Sequence, residues 1–472
     1  MWTRAVTAYL LVGEVIRLTN GALVVADPTA HEDGVERERL EAWQCASWSA
    51  DSREVERGGV FLAVGGGERF VDEAVSRGAE IAIAETALSG LPTIVVDDVP
   101  RAVALLAQYR RQHLAIPVIA IAGSSGKTST KNLLAAALSP LGLIHSSKRS
   151  FNNEIGVPIT LLECPPDAQA VVVECGERRR GDLAYLGDIV HPTGVVVTSL
   201  GLAHAEFLGG IEGVALECGD LITRSKTWVV AHDADLAEIS PHMPPTRERV
   251  AVCIEPPSQY EHLVELSVAS LEINENGTGH IQGTGKWGPF DATVQLLGKH
   301  QARNAAVALA AAARCGVSLA DASAAIATVL PAEGRGQMRI REDGLRIIDD
   351  SYNANPDSVR AGLEMLAEIP SLRRVAILGE MRELGEGASA AHAAIGRRAG
   401  ELGIDVLIPL GPYRGELQTG FEERAGAPAI TVNVDTMNEI ARHIASGDLV
   451  LVKASRGAQL ERIVELLMES AP

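Results

Sequence analysis

Short apolar runs alternate with segments of helical spacing along almost the whole chain, and they group into three blocks. In the first, residues 1–114, "GVFLAV", "EIAIAE" and "PTIVVDD" predict short strands separated by the helical patterns "FVDEAVSRGA" and "PRAVALLAQYRRQHL". The second block, 115–330, carries "VIAIAG", "AVVVECG" and "GVVVTSLG" between helical stretches. Such continuously apolar runs are what strands need when both faces of a parallel sheet are covered by helices. The third block, 331–472, repeats the rhythm with "LRIIDDS", "RVAILGE", "VLIPLG", "AITVNV" and "LVLVKAS". The expected fold is therefore α/β in three domains, with ligand sites at the carboxyl ends of the strands.

Composition sharpens this reading at three points. The 472 residues suit about three domains, and 46% hydrophobic content is ample for packed cores. A net charge of −19 without a compensating basic block argues against nucleic acid or an anionic membrane as the main partner. The six cysteines (45, 164, 175, 218, 253, 315) lack C-x-x-C spacing. They read as reduced thiols of a cytoplasmic protein, not a disulfide framework or a structural zinc site. The apolar stretch "AYLLVGEVI" is interrupted by Glu14 and reads as an amphipathic helix, not a signal or a membrane span.

One segment carries the chemistry. "AIAGSSGKTSTK", Ala120 to Lys131, leads from an apolar strand into the helix-forming "NLLAAAL". Gly123 and Gly126 permit a tight turn, so that amides of the loop Gly123, Ser124, Ser125 and Gly126, and the positive end of the next helix, converge on one anion. Lys127 then reaches the terminal phosphates of ATP, and the Thr128 hydroxyl sits on Mg2+. The longer pattern G-x-x-x-x-G-K-[ST] is not met, because Ile121 stands at its first glycine. An ordinary glycine turn followed by a surface lysine is the plainer alternative.

Further polar clusters fall where strands should end. "VVVECG" places Glu174 just past a buried strand, where a carboxylate holds Mg2+ or caps a helix. "VVVTSLGLAHAEF" places His204 in a loop, where a lone histidine is usually structural or solvated. "GKHQARNAAVALAAAARCGV" opens polar and becomes an alanine-rich helix, with Asn304 either packed or hydrogen-bonded to a base. "IIDDSYNANPDS" concentrates acids and asparagines before Pro356, as turn chemistry or as a site.

Together these stretches resemble the Mur ligase family. The matching segments are "GSSGKTSTK", "FNNEIGVPITLL", "VVVECGERRRGDLAYLGDIVHPTGVVVTSLGLAHAEF", "LGKHQARNAAVALAAAA", "EGRGQ", "IIDDSYNANPDSVRAGLEML", "AILGEMRELGEGASAAH" and "LVLVKASRG", and "DSREVERGGVFLAV" extends the likeness into the first block. The resemblance implies a central P-loop ATPase domain between an N-terminal substrate domain and a C-terminal Rossmann-like domain that closes over the nucleotide. It implies ATP-driven amide formation, in which a carboxylate takes the γ-phosphoryl group and an amine attacks the acyl phosphate. The carboxylate would be a UDP-linked peptide and the amine an amino acid or dipeptide, D-alanyl-D-alanine in the branch resembled most, with the enzyme a cytoplasmic monomer. Carried over by position, Lys127, Glu174 and His204 are the expected catalytic groups, with Thr128, Glu174 and His204 holding Mg2+. Asn304, Arg335 and Asp350 would hold the nucleotide beside the phosphate loop. Ser52, Arg53, Asn152 and Asn153 would lie along the acyl substrate, and Asn353, Asn355, Lys453, Ser455 and Arg456 would face the amine and its carboxylate.

The chain departs from that family at several positions. Cys218 stands where the resemblance implies a lysine that is carbamylated and bridges two metals; a thiol is short and soft and suits Mg2+ badly. Glu217 lies about 100° away around the helix and is not an obvious substitute. Ser150 replaces an asparagine, "GGGERF" brings Glu68 to a stretch expected to meet a diphosphate, and Ala122 and Ala454 replace a threonine and a glycine. These departures favour a specialised ligase with another acyl or amine substrate; the third block favours the cell-wall reaction. A noncatalytic ATP-binding protein and a plain ATPase or small-molecule kinase are the remaining readings.

Overall fold

The computed structural model describes residues 9–25, 38–201, 205–254, 261–424, 430–431 and 437–469, and these build three sheets in chain order. The first contains β1 (Ala22–Val24), β2 (Trp48–Ser49), β3 (Gly59–Leu62), β4 (Ala79–Ala84) and β5 (Thr93–Val95) in the order β1-β5-β4-β3-β2. Its edge strand β1 is antiparallel to β5 and the other pairs are parallel. The N-terminal apolar stretch forms a helix only from Val12 to Thr19, burying Val12 and Val15, with Glu14 accepting from the Leu11 amide at 3.0 Å.

The central sheet is built from β6 (Val118–Ala122), β7 (Ile144–Ser146), β8 (Ala170–Glu174), β9 (Gly194–Val197), β10 (Trp228–His232), β11 (Glu248–Ile254), β12 (Val264–Ile273), β13 (Thr278–Gly285) and β14 (Gly288–Leu297), ordered β14-β13-β12-β11-β10-β9-β6-β8-β7. The continuous apolar runs have the predicted cause. In β6, Val118, Ala120 and Ala122 enter one core while Ile119 and Ile121 enter the other, and β8 and β9 divide their residues the same way. Both faces are thus dry, and each strand must be apolar throughout.

The expected all-parallel sheet is corrected at one end. β12, β13 and β14 are antiparallel, joined by the short turns at 274–277 and 286–287, which leave no room for a crossover helix. β14 accordingly alternates, with Phe290, Ala292, Val294 and Leu296 buried and Asp291 and Thr293 exposed.

The third sheet holds β15 (Gln337–Ile340), β16 (Arg346–Asp349), β17 (Arg374–Leu378), β18 (Val406–Pro409), β19 (Ile430–Thr431) and β20 (Leu449–Lys453), ordered β15-β16-β20-β17-β18-β19. It is parallel apart from β15, and β16, β17 and β20 again split their side chains between two cores. Among the described residues no helix is long and apolar enough to cross a membrane. In the central sheet the order turns at β6, which lies between β8 and β9, so a crevice opens past its carboxyl end.

Candidate active site

The phosphate-type loop fills that crevice mouth. Gly123 and Gly126 have φ of 122° and 79°, and Gly126 caps the helix Lys127–Leu138. Neither position has space for a side chain: a Cβ on Gly123 would meet Thr198 Oγ1 at 2.6 Å, and one on Gly126 would meet the Asn304 amide at 2.9 Å. The loop is pinned to the strand beside it, with the Ser124 amide donating to Ser199 O at 2.9 Å and the Gly201 amide donating to Ser124 Oγ at 2.9 Å. What this rigid backbone presents is a set of N–H groups at a helix N-terminus, the arrangement that binds phosphate.

Behind the loop, Thr128 Oγ1 donates to Glu174 Oε2 at 2.9 Å and Asn152 Nδ2 donates to Glu174 Oε1 at 3.0 Å. Glu174 is the last residue of β8 and is buried, so the pairing of β6 with β8 sets its distance from Thr128. A hydroxyl and a carboxylate are hard oxygen donors, the chemistry Mg2+ takes. Lys127 Nζ contacts Gly123 O and lies 3.4 Å from Glu177, a carboxylate whose side chain is 0% exposed. Burial pushes the Glu177 carboxyl above its ordinary range, and the Lys127 charge opposes that rise.

Cys218 is fully buried in the apolar core on one face of the central sheet, and burial holds its thiol well above the usual range. It is protonated at neutral pH and is no ligand for a hard cation. Glu217 is occupied, accepting from the Gly181 amide at 2.6 Å and the Leu183 amide at 3.0 Å, where it secures the start of the helix Asp182–Val190.

The third sheet reaches the same cleft. Lys453 at the end of β20 donates to Asp350 at 2.5 Å and to Asn353 O at 2.9 Å. Asn355 caps the helix Pro356–Glu368 by accepting from the Ser358 amide at 2.8 Å, and its Nδ2 donates to Ser124 O at 3.4 Å. "NANPDS" is thus both turn chemistry and cleft wall. Tyr352 stacks under Arg335 at 4.0 Å, lies 5.2 Å from Arg456, and bonds Ser150 through its hydroxyl at 2.5 Å. Ser150, one of the departures noted above, is therefore a tie between the central and third sheets.

One cleft of about 800 Å³ is lined by Ser124, Ser125, Gly126, Lys127 and Thr128, by Asn152, Asn153 and Glu174, and by Asn304, Arg335, Asp350, Asn353, Asn355, Lys453, Ser455 and Arg456. Gly123, the first residue of the loop, is not in this lining. Ser52 and Arg53 are not in this lining: Ser52 Oγ donates to Glu73 at 2.6 Å and Arg53 pairs with Asp51. His204 lies outside the described residues. Sequence reasoning missed Glu177, Tyr352, His232 and Asp235, all in the lining. His232 is pushed down to about 4 and Asp235 up to about 6, both chiefly by burial. A polar residue ending or following a wholly apolar strand was the available signal for His232 and Asp235; nothing local marks Tyr352, which acts across sheets.

The fold and cleft define a nucleotide-dependent ligase class, and comparison with known proteins bears this out. The Mur ligase middle domain matches residues 121–312 and the Mur ligase glutamate ligase domain matches 334–456. UDP-N-acetylmuramoyl-tripeptide–D-alanyl-D-alanine ligase of Mycobacterium tuberculosis is 33% identical, with 89% of this chain and 91% of that protein aligned. Its Escherichia coli counterpart is 30% identical over 89% and 93%. Among solved structures, MurF from Acinetobacter baumannii superposes with a TM-score of 0.81 at 25% identity, covering 99% of this chain and 100% of that one. MurF from Thermotoga maritima, in complex with ADP, gives 0.74 at 26% identity over 90% and 97%. The chain belongs to the Mur ligase family, and it is an ATP-dependent ligase that forms C–N bonds.

Proposed function

We propose that this enzyme joins the carboxylate of UDP-N-acetylmuramoyl-tripeptide to the amine of D-alanyl-D-alanine in the cytoplasm, as a monomer, with ATP and Mg2+. The observation that carries the reading is the convergence, in one cleft, of the phosphate loop and Glu174 with Asp350, Asn353, Asn355, Lys453 and Arg456 of the third sheet. The names of the relatives supply the substrate pair. In this reading the chain divides into an acyl-substrate domain, 1–114, an ATP domain, 115–330, and an amine domain, 331–472.

The cleft's chemistry follows from charge. Phosphoryl transfer from one anion to another needs clustered positive groups and in-line placement. The loop amides and Lys127 take the phosphates, with Asn304, Arg335 and Asp350 along the nucleotide. Thr128 and Glu174 would hold Mg2+, with His204 as a further ligand, and the bound ion would supply positive charge to the transferred group. Asn152 orients Glu174 and, with Asn153, borders the path of the acyl carboxylate. Lys453, Ser455 and Arg456 hold the carboxylate of the incoming amine, so that the nitrogen meets the activated acyl group at short range. Ser52 and Arg53 act on the distal part of the acyl substrate.

A second reading, a ligase of the same chemistry with a different acyl or amine substrate, is favoured by Cys218 in the apolar core and by Glu68 in the first sheet's loop. ADP release coupled to mass spectrometry decides between them. The muramoyl tripeptide and D-alanyl-D-alanine at millimolar Mg2+ should yield the mass of the amide. Silence on that pair, with turnover on another acid and amine, would replace it with the second reading.

A further inference from the structure

A carboxylate without a settled role lies against Lys127, just past the end of β8. Glu177 is fully buried, three residues beyond Glu174, and it lines the cleft beside Lys127. Its oxygens lie 3.5 and 3.4 Å from Lys127 Nζ, longer than the about 2.7–2.9 Å of a good charge-assisted bond. The neighbouring acids are committed elsewhere. Glu174 takes Thr128 and Asn152 on its two oxygens, and Glu217 takes two backbone amides.

Lys127 links the phosphate loop to Glu177. In this structure its ammonium sits on Gly123 O and against Glu177. Drawn toward the phosphates of ATP, the ammonium would leave Glu177, a buried carboxylate, with no cation, beside newly arrived negative charge. A lone buried anion is costly, and a divalent cation with hard-oxygen preference resolves the conflict. The position matters because the residue where a bridging carboxylate was expected, Cys218, is a protonated thiol in the core.

We propose that Glu177 is a carboxylate ligand for a divalent cation in the nucleotide-bound enzyme, taking the ion as Lys127 turns to the phosphates. The inference rests on the reading of the cleft as an ATP and Mg2+ site, and it makes position 177 the hard-oxygen donor that position 218 does not supply.

The test counts metal rather than product. The full-length protein, saturated with a non-hydrolysable ATP analogue, is titrated with Mn2+ and followed by electron paramagnetic resonance of the free ion, for wild type, Glu177→Gln and Glu177→Asp. Wild type should take up one more Mn2+ per chain than Glu177→Gln, or hold it at least about tenfold more tightly, given that even outer ligands change affinity 10–100-fold. Glu177→Asp should restore part of the difference, and thermal unfolding of each variant checks that it is folded. Equal Mn2+ uptake by wild type and Glu177→Gln would overturn the proposal. If Glu177→Gln instead only tightens nucleotide binding in EDTA, Glu177 does no more than park Lys127, and the proposal also falls. Failure of the wild type to bind the analogue would remove the ATP reading itself and this inference with it. An absent amide product with normal Mn2+ counts would remove only the substrate assignment.

Discussion

Replacing Lys127 with methionine keeps most of the side-chain stem and removes the charge facing Glu177. Lys127 is 12% exposed and Glu177 0%, so solvent does little to compensate the carboxylate left behind. Breaking a buried pair from one side costs about 3–5 kcal/mol when the survivor stays charged. Protonation caps that cost. Relative to the unfolded chain, with its ordinary value of 4.5, holding the Glu177 carboxyl neutral at pH 7 costs up to about 3.4 kcal/mol, at about 1.36 kcal/mol per unit, and the Lys127→Met penalty is smaller by whatever burial already costs this raised carboxyl with Lys127 in place. At pH 5 the same step costs about 0.7 kcal/mol. The unfolded chain ionises this group over the same range, so the destabilisation by Lys127→Met grows as pH rises from 5 to 7. It should be largely erased by the double change Lys127→Met with Glu177→Gln. Urea unfolding followed by tryptophan fluorescence at pH 5, 6 and 7 measures this directly. A Lys127→Met penalty that does not change with pH, or that survives Glu177→Gln, would refute the electrostatic link between the two residues.

Gly126→Ala puts a side chain at φ 79° and against Asn304, so nucleotide affinity, measured by calorimetry, should fall at least about tenfold, from about 1–2 kcal/mol of backbone strain plus the displaced amide. Asp235 is raised to about 6, so the folded state holds a proton there that the unfolded state has lost, and stability should fall as pH rises from about 4 to 6. Asp235→Asn should flatten that slope, by up to about 3 kcal/mol for a shift of about two units, read from melting temperatures across the range. Cys218→Ala should leave the Mg2+ titration of ADP release unchanged and cost roughly 1 kcal/mol or less in stability, because the thiol only fills the core. Asn355→Ala removes a helix cap and the bond to Ser124, and should cost about 1 kcal/mol in urea unfolding.

Much of the architecture was legible because burial on both faces leaves a blunt signature. β6, β8 and β9 are apolar at every position but one, and that one is Glu174. The antiparallel end of the central sheet was not legible in the same way, since β12–β14 alternate and their turns are short. The phosphate loop announces itself through two glycines whose backbone angles exclude other residues. Glu177 does not, because its meaning depends on Lys127 arriving from the helix after β6 and on Cys218 being dry. Tyr352 is hidden for a similar reason, as it gathers Arg335, Arg456 and Ser150 from segments far apart in sequence. Ser52 and Arg53 lie in the first block, outside this lining, so the cleft by itself does not report on them.

In the proposed reaction a carboxylate is phosphorylated in this cleft before an amine captures it. Labelling the terminal carboxylate of the muramoyl tripeptide with ¹⁸O and analysing the released phosphate by mass spectrometry tests it directly. Transfer of one ¹⁸O to phosphate for each amide formed is the expected result. Phosphate that carries oxygen from water alone, with amide still formed, would contradict phosphorylation of the carboxylate.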